Sequence, residues 1–165
     1  MDLRIGHGYD IHRLDFGRKF ILGAVEIPFP KGLVGHSDGD CVCHSLTDAL
    51  LGALALPNIG QFFPDTDPKI KDSDSKQILK IIYEREILSR SYRVLNVDCT
   101  IVAQEPKIAP YIEAMRAILS KILNIDGECV GLKATTNEGL DAIGRSEAIA
   151  CYSVCLLRKV INESL

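Results

Sequence analysis

Over residues 40–56 the apolar side chains Val42, Leu46, Leu50, Leu51 and Leu54 recur at the spacing of one helix face. Two further runs share that period. Ile78, Ile81, Ile82 and Leu88 predict a helix to about Ser89, opened by Asp74 with Gln77. Ile108, Ile112, Met115, Leu119 and Ile122 predict a third, with Pro106 suited to its first turn. Between them lie runs rich in β-branched and alternating apolar residues, which predict strands over residues 5–14, 19–27, 92–104, 130–135 and 147–159. Pro28 and Pro30 interrupt the pattern, since neither can donate to a ladder. Residues 58–72 read as a loop around F-F-P-D-T-D-P.

Strands mixed with three helices, without strict alternation, predict an α/β (α+β) fold: one mixed sheet with helices on one face. The other sheet face then needs cover, for which a symmetric oligomer is the natural source.

Composition narrows the class. A chain of 165 residues buries roughly 70% of its unfolded surface, enough for one stable domain over residues 1–165. A net charge of −3 without a basic run argues against nucleic acid as the ligand. The six cysteines form no C-x-x-C pair and mostly sit in apolar runs, as reduced core thiols of a cytoplasmic protein do. No apolar stretch is long enough to span a membrane. The first residues run directly into a strand pattern, so neither a signal nor a transit peptide is expected.

The candidate chemistry lies in two early stretches, R-I-G-H-G-Y-D-I-H and H-S-D-G-D-C-V-C-H. Asp10 and His12 are two apart and leave the same face of a strand. A lone D-x-H is usually an ordinary strand end, but His44 lies early in the first helix. One carboxylate and two imidazoles take three corners around zinc, leaving the fourth for a substrate oxygen. Asp48, one turn after His44, is read as the carboxylate orienting it. In His36-Ser37-Asp38-Gly39-Asp40, Ser37 or Asp38 is positioned to cap the helix, and the same helix start suits a phosphate with His36 as donor; the two readings fit equally. Lys133 to Gly139 leaves a strand with hydroxyls, an amide and Glu138, a hard oxygen ligand suited to magnesium. Lys107 sits at a strand-to-helix corner where a phosphate can bind. No P-loop, dinucleotide, metalloprotease or nucleophile-elbow motif occurs.

Together G-H-G-Y-D-I-H, H-S-D-G-D-x-x-x-H, T-D-A-L-L-G-A, F-P-D-T-D-P, A-Q-E-P-K, K-A-T-T-N-E-G and G-R-S-E-A-I-A resemble, in order and over nearly the whole chain, the 2-C-methyl-D-erythritol 2,4-cyclodiphosphate synthases of non-mevalonate isoprenoid biosynthesis. The resemblance implies a homotrimer with sheets lining the central axis and active sites between subunits. It implies cyclisation of 4-diphosphocytidyl-2-C-methyl-D-erythritol 2-phosphate with release of CMP. By the same resemblance Asp10, His12 and His44 hold zinc, and Glu138 a second divalent ion, magnesium or manganese. His36 and Thr136 stabilise the transition state, with Ser37 beside the phosphates. Asn58, Ile59, Gly60, Phe63, Pro64, Asp65, Thr66 and Asp67 line the erythritol side. Ala103, Lys107, Ile108, Ala109, Thr135, Thr136, Asn137 and Glu138 bind cytidine and phosphate from the neighbouring subunit, with Ala142 and Arg145 nearby. Three departures stand out: Asn58 for a common Asp, Asn137 for a usual Thr, and D-A-I-G for G-F-T-G before Arg145. A zinc phosphohydrolase acting on a small phosphate ester is the alternative reading of the same donor set.

Overall fold

The computed structural model describes residues 2–64 and 73–160. Its first strand, β1 (Leu3–Phe16), alternates strictly: Ile5, His7, Tyr9 and Ile11 face one way, Gly6, Gly8, Asp10 and His12 the other. It pairs antiparallel with β7 (Ala148–Lys159), which pairs antiparallel with β5 (Tyr92–Val102); β5 runs parallel to β6 (Val130–Thr135). A short strand β4 (Lys31–Leu33) adds to the end of β1, giving the sheet order β4-β1-β7-β5-β6.

The expected strand over residues 19–27 is instead a hairpin, β2 (Phe20–Leu22) and β3 (Val25–Ile27). Gly23 and Ala24 both take positive φ, 55° and 63°, the geometry of a two-residue hairpin turn. β4 also follows the prolines where regular structure was not expected.

Helix α1 (Cys41–Ala53) lies across β1 and β7. Its cap is Asp40, not Ser37 or Asp38: the buried carboxylate accepts from the amides of Val42 (3.0 Å) and Cys43 (3.1 Å), and of Gly23 (2.9 Å) and Ala24 (2.7 Å). One side chain thus ties the hairpin tip to the helix start. α2 (Ile59–Phe62) occupies part of the expected loop. α3 (Ser75–Ile82), capped by Asp74, continues through a π-helical turn and a 3-10 turn to Arg90. Pro106 lies outside the third helix: α4 (Ile112–Leu123) starts after a 3-10 turn at Ala109–Tyr111. α5 (Asp141–Gly144) is a single turn ahead of β7.

The main core forms between α1, α3, α4 and one sheet face; α5 departs from the expected one-sided cover, its Ile143 packing with Val102, Ala148 and Ala150 on the opposite face. The opposite face carries Ile5 at 73% exposure, with Tyr9, Ile11, Tyr152 and Val154 beside it. The six cysteines are free thiols, five of them buried.

Candidate metal centre and active site

The site begins with two glycines. A Cβ on Gly6 would lie 1.9 Å from the Ala49 carbonyl oxygen, and one on Gly8 1.9 Å from that of Ser45. Their absent side chains let α1 rest on the backbone of β1. Further along the same strand face come Asp10 and His12, and the start of α1 brings His44 over them.

Asp10 Oδ2, His12 Nε2 and His44 Nδ1 form a near-equilateral triangle, with sides of 2.9, 3.0 and 3.1 Å. Tetrahedral ligands at zinc distances lie about 3.3 Å apart, so this donor set fits one cation with little movement. Among the described residues it is the cluster suited to a metal. Each imidazole is held from behind. His12 Nδ1 faces the Val34 carbonyl at 2.6 Å, leaving Nε2 for the cation; Gly35, whose Cβ would meet the ring at 3.0 Å, lets the loop pass close. His44 Nε2 faces the hydroxyls of Ser75 (2.8 Å) and Ser37 (3.1 Å).

Asp48 does not orient His44. Its carboxylate accepts the Ile59 amide at 2.7 Å and so anchors α2, and burial raises its pKa. Burial also disfavours the Asp10 carboxylate, but the hydrogen bonds and charges of His12 and His44 outweigh it and hold the group well below the usual range. For His12 burial likewise opposes the charged form, and the Asp10 contact outweighs it, raising the imidazole.

The triangle opens into a cavity of about 550 Å³. Of the expected site residues, His36, Ser37, Ile59, Gly60 and Phe63 line it, together with Val34, Gly35 and Ile78, which the sequence reading missed. Asn58 and Pro64 are exposed beside α2. Asp65, Thr66 and Asp67 lie outside the described residues.

The second half of the expected site gathers elsewhere, at the carboxyl ends of the parallel pair β5 and β6. The Ala103 amide donates to the Thr135 carbonyl at 2.9 Å, and the Gly139 amide to Gln104 Oε1 at 3.3 Å. Thr136 donates its hydroxyl proton to Glu138 at 3.0 Å. Lys107 and Ala109 are exposed, whereas Ala103 and Ile108 pack in the core. Asn137 donates to Asp141 at 2.8 Å and, with Ala142, lines a separate hollow of about 340 Å³ against Tyr9 and Tyr152. Arg145 pairs with Glu147 through two contacts of 2.9 and 3.1 Å.

Register fixes how far apart the halves are. Asp10 pairs with Cys151, Cys151 with Ile101, and Ile101 with Ala134. Three strand spacings amount to about 14 Å. Among the described residues none of 103–109 or 135–138 lines the metal cavity.

The YgbB family model matches residues 3–158. A 2-C-methyl-D-erythritol 2,4-cyclodiphosphate synthase of Clostridioides difficile is 52% identical over 155 residues, covering 94% of this chain and 96% of that protein. The enzyme of that name from Histophilus somni (strain 129Pt) is 54% identical over 157 residues, covering 95% and 96%. Among solved structures, the bifunctional IspDF of Campylobacter jejuni superposes with a TM-score of 0.90 at 39% identity, over 96% of this chain and 43% of that longer one. The IspF–CDP complex of Plasmodium falciparum gives 0.84 at 35% identity, over 96% and 97%. The donor triangle at the end of β1, the order of the sheet and this full-length identity lead to one conclusion: the chain belongs to the YgbB family, whose curated relatives are 2-C-methyl-D-erythritol 2,4-cyclodiphosphate synthases.

Proposed function

We propose that this chain is a phosphorus–oxygen lyase of isoprenoid biosynthesis that converts 4-diphosphocytidyl-2-C-methyl-D-erythritol 2-phosphate into the 2,4-cyclodiphosphate and CMP. An oxygen of the 2-phosphate forms a bond to the β-phosphorus while the bond from that phosphorus to the CMP oxygen breaks. Both groups belong to one molecule, so the rate gain comes from positioning and charge neutralisation. The observation carrying this reading is the three-donor triangle whose free side opens onto the cavity.

Asp10, His12 and His44 would hold zinc. When bound, that cation supplies a Lewis acid for a phosphoryl oxygen. His36, on the cavity wall, donates toward the charge that develops on the phosphates, with Ser37 beside it. Asn58, Ile59, Gly60, Phe63 and Pro64 border the erythritol end, with α2 held at its first residue, Ile59, through Asp48.

Thr136 and Glu138 act from a second copy, together with Lys107 and the backbone around Ala103, Ile108, Ala109, Thr135 and Asn137; Glu138 takes magnesium or manganese, and Ala142 and Arg145 border that half. Two observations support this arrangement: the halves stand about 14 Å apart within one chain, and the apolar sheet face of Ile5, Tyr9, Ile11 and Tyr152 is uncovered. A homotrimer with these faces around its axis joins the two half-sites. The structure of a relative solved with CDP supports a cytidine diphosphate ligand for this chain too. The free thiols fit a reducing cytoplasm, and no helix among the described residues is long and apolar enough to cross a membrane.

Phosphorus NMR of the purified protein with the cytidine substrate, zinc and magnesium tests the reading. CMP with a cyclic diphosphate is the expected product pair. Release of inorganic phosphate would replace the cyclase with a phosphohydrolase.

A further inference from the structure

Ser75 occupies the first position of α3 and is 1% exposed. It does not cap that helix. Asp74 does so, accepting the Lys76 amide at 3.1 Å, which leaves the Ser75 hydroxyl to other partners. Those partners are a carboxylate oxygen of Asp38, the Ser37 hydroxyl at 3.2 Å and His44 Nε2 at 2.8 Å. The contact with Asp38 is clamped by the backbone on both sides. The Ser75 amide donates to Asp38 Oδ2 at 3.1 Å, and the Asp38 amide donates to the Ser73 carbonyl at 3.3 Å.

We propose that Asp38 and Ser75 form a positioning pair that fixes His44 with its proton on Nε2 and its lone pair on Nδ1, and so sets how tightly the cation is held. The direction of each proton follows from the donor and acceptor inventory. An ionised carboxylate only accepts, so the single Ser75 proton goes to Asp38. Toward His44 the Ser75 oxygen then has only lone pairs to offer, and Nε2 must be the donor. In the metal-loaded protein Nδ1 then keeps its lone pair for the cation it shares with Asp10 and His12; without a cation Nδ1 would also carry a proton, donated to the Asp10 carboxylate 3.0 Å away. The Ser37 hydroxyl, 3.1 Å from the same nitrogen, can take either role and imposes no direction. A carboxylate acting through a hydroxyl also makes the far nitrogen of the ring a better donor to a metal. His12 is fixed the opposite way round, its Nδ1 toward the Val34 carbonyl and its Nε2 toward the triangle. Two histidines thus present different nitrogens because different partners stand behind them.

The inference rests on Asp10, His12 and His44 being the ligands. Zinc affinity of the full-length protein, read by competition with a chromophoric chelator, tests it alongside the imidazole proton of His44 in zinc-loaded protein labelled with ¹⁵N at histidine. Wild type is expected to show a slowly exchanging proton on Nε2. Ser75→Ala and Asp38→Asn are each expected to weaken zinc binding about tenfold or more. Asp38→Asn is the sharper probe, because it keeps the shape and the Ser75 hydroxyl but lets the amide donate, freeing that hydroxyl to turn toward Nε2. Ser75→Thr, which keeps the hydroxyl, is expected to bind zinc more tightly than Ser75→Ala. Zinc affinity within about twofold of wild type in both Ser75→Ala and Asp38→Asn would overturn the pair, as would an Nε2 proton exchanging as fast as that of a free imidazole. A wild-type protein that binds no zinc would overturn the ligand assignment itself, which is a separate failure.

Discussion

Gly8 and Ser45 meet backbone to backbone: a Cβ on the glycine would stand 1.9 Å from the serine carbonyl oxygen. Helix α1 cannot shift outward without carrying His44 off the plane of Asp10 and His12. Gly8→Ala is therefore expected to damage packing and metal site together. Overpacking of this kind costs about 3 kcal/mol, which for a chain of this length lowers Tm by about 6–12 °C. Thermal unfolding together with zinc content checks it. A variant with wild-type Tm and zinc would show that the helix moves freely.

His44→Ala removes one corner of the triangle but no core side chain. Zinc is expected to be lost, and cyclic diphosphate formation to fall by more than about 100-fold, a larger loss than for a residue behind a ligand. The far-ultraviolet spectrum is expected to stay unchanged. Loss of the fold together with the metal would make the cation structural.

Glu138 stands apart from the Asp10, His12 and His44 triangle, three residues past the end of β6. Glu138→Gln is expected to raise the magnesium concentration giving half-maximal rate by about tenfold, since a neutral amide replaces a charged oxygen ligand. Zinc content is expected to remain as in wild type. A superimposable magnesium titration removes Glu138 from the second cation site.

The buried thiols make stability depend on pH in the alkaline range. Burial pushes Cys155 up to about 12 and raises Cys41 and Cys43 as well. A free thiol in the unfolded chain titrates near about 8.5. Below that value both states are protonated and nothing is lost. Between there and the folded value the unfolded chain releases a proton that the folded one keeps, so stability falls by about 1.4 kcal/mol per pH unit per thiol. Urea midpoints at pH 8 and pH 10 test this, and Cys155→Ala is expected to lose less between the two. A midpoint that is flat with pH would contradict it. In the native protein half-buried Cys129 is expected to react with a thiol reagent well before the other five.

The period of the sequence settled the three longer helices and the long strands, but not the single turns α2 and α5, because 3.6- and 2-residue repeats are local properties that only a longer run displays. It placed Asp10 beside His12 for the same reason. It did not show the hairpin at Gly23 and Ala24, because a two-residue turn inside an apolar run leaves the alternation almost unbroken. Nor did it show the buried Asp40 gathering four amides, or Ser75 and not Asp48 behind His44. The hairpin amides lie 16 and 17 positions from Asp40, and Ser75 lies 31 from His44, so only the packing of the elements decides which polar group faces which. Sequence determined the chemical inventory; the tertiary structure decided its pairing, since a hydrogen bond depends on separation in space and direction, which spacing along the chain does not contain.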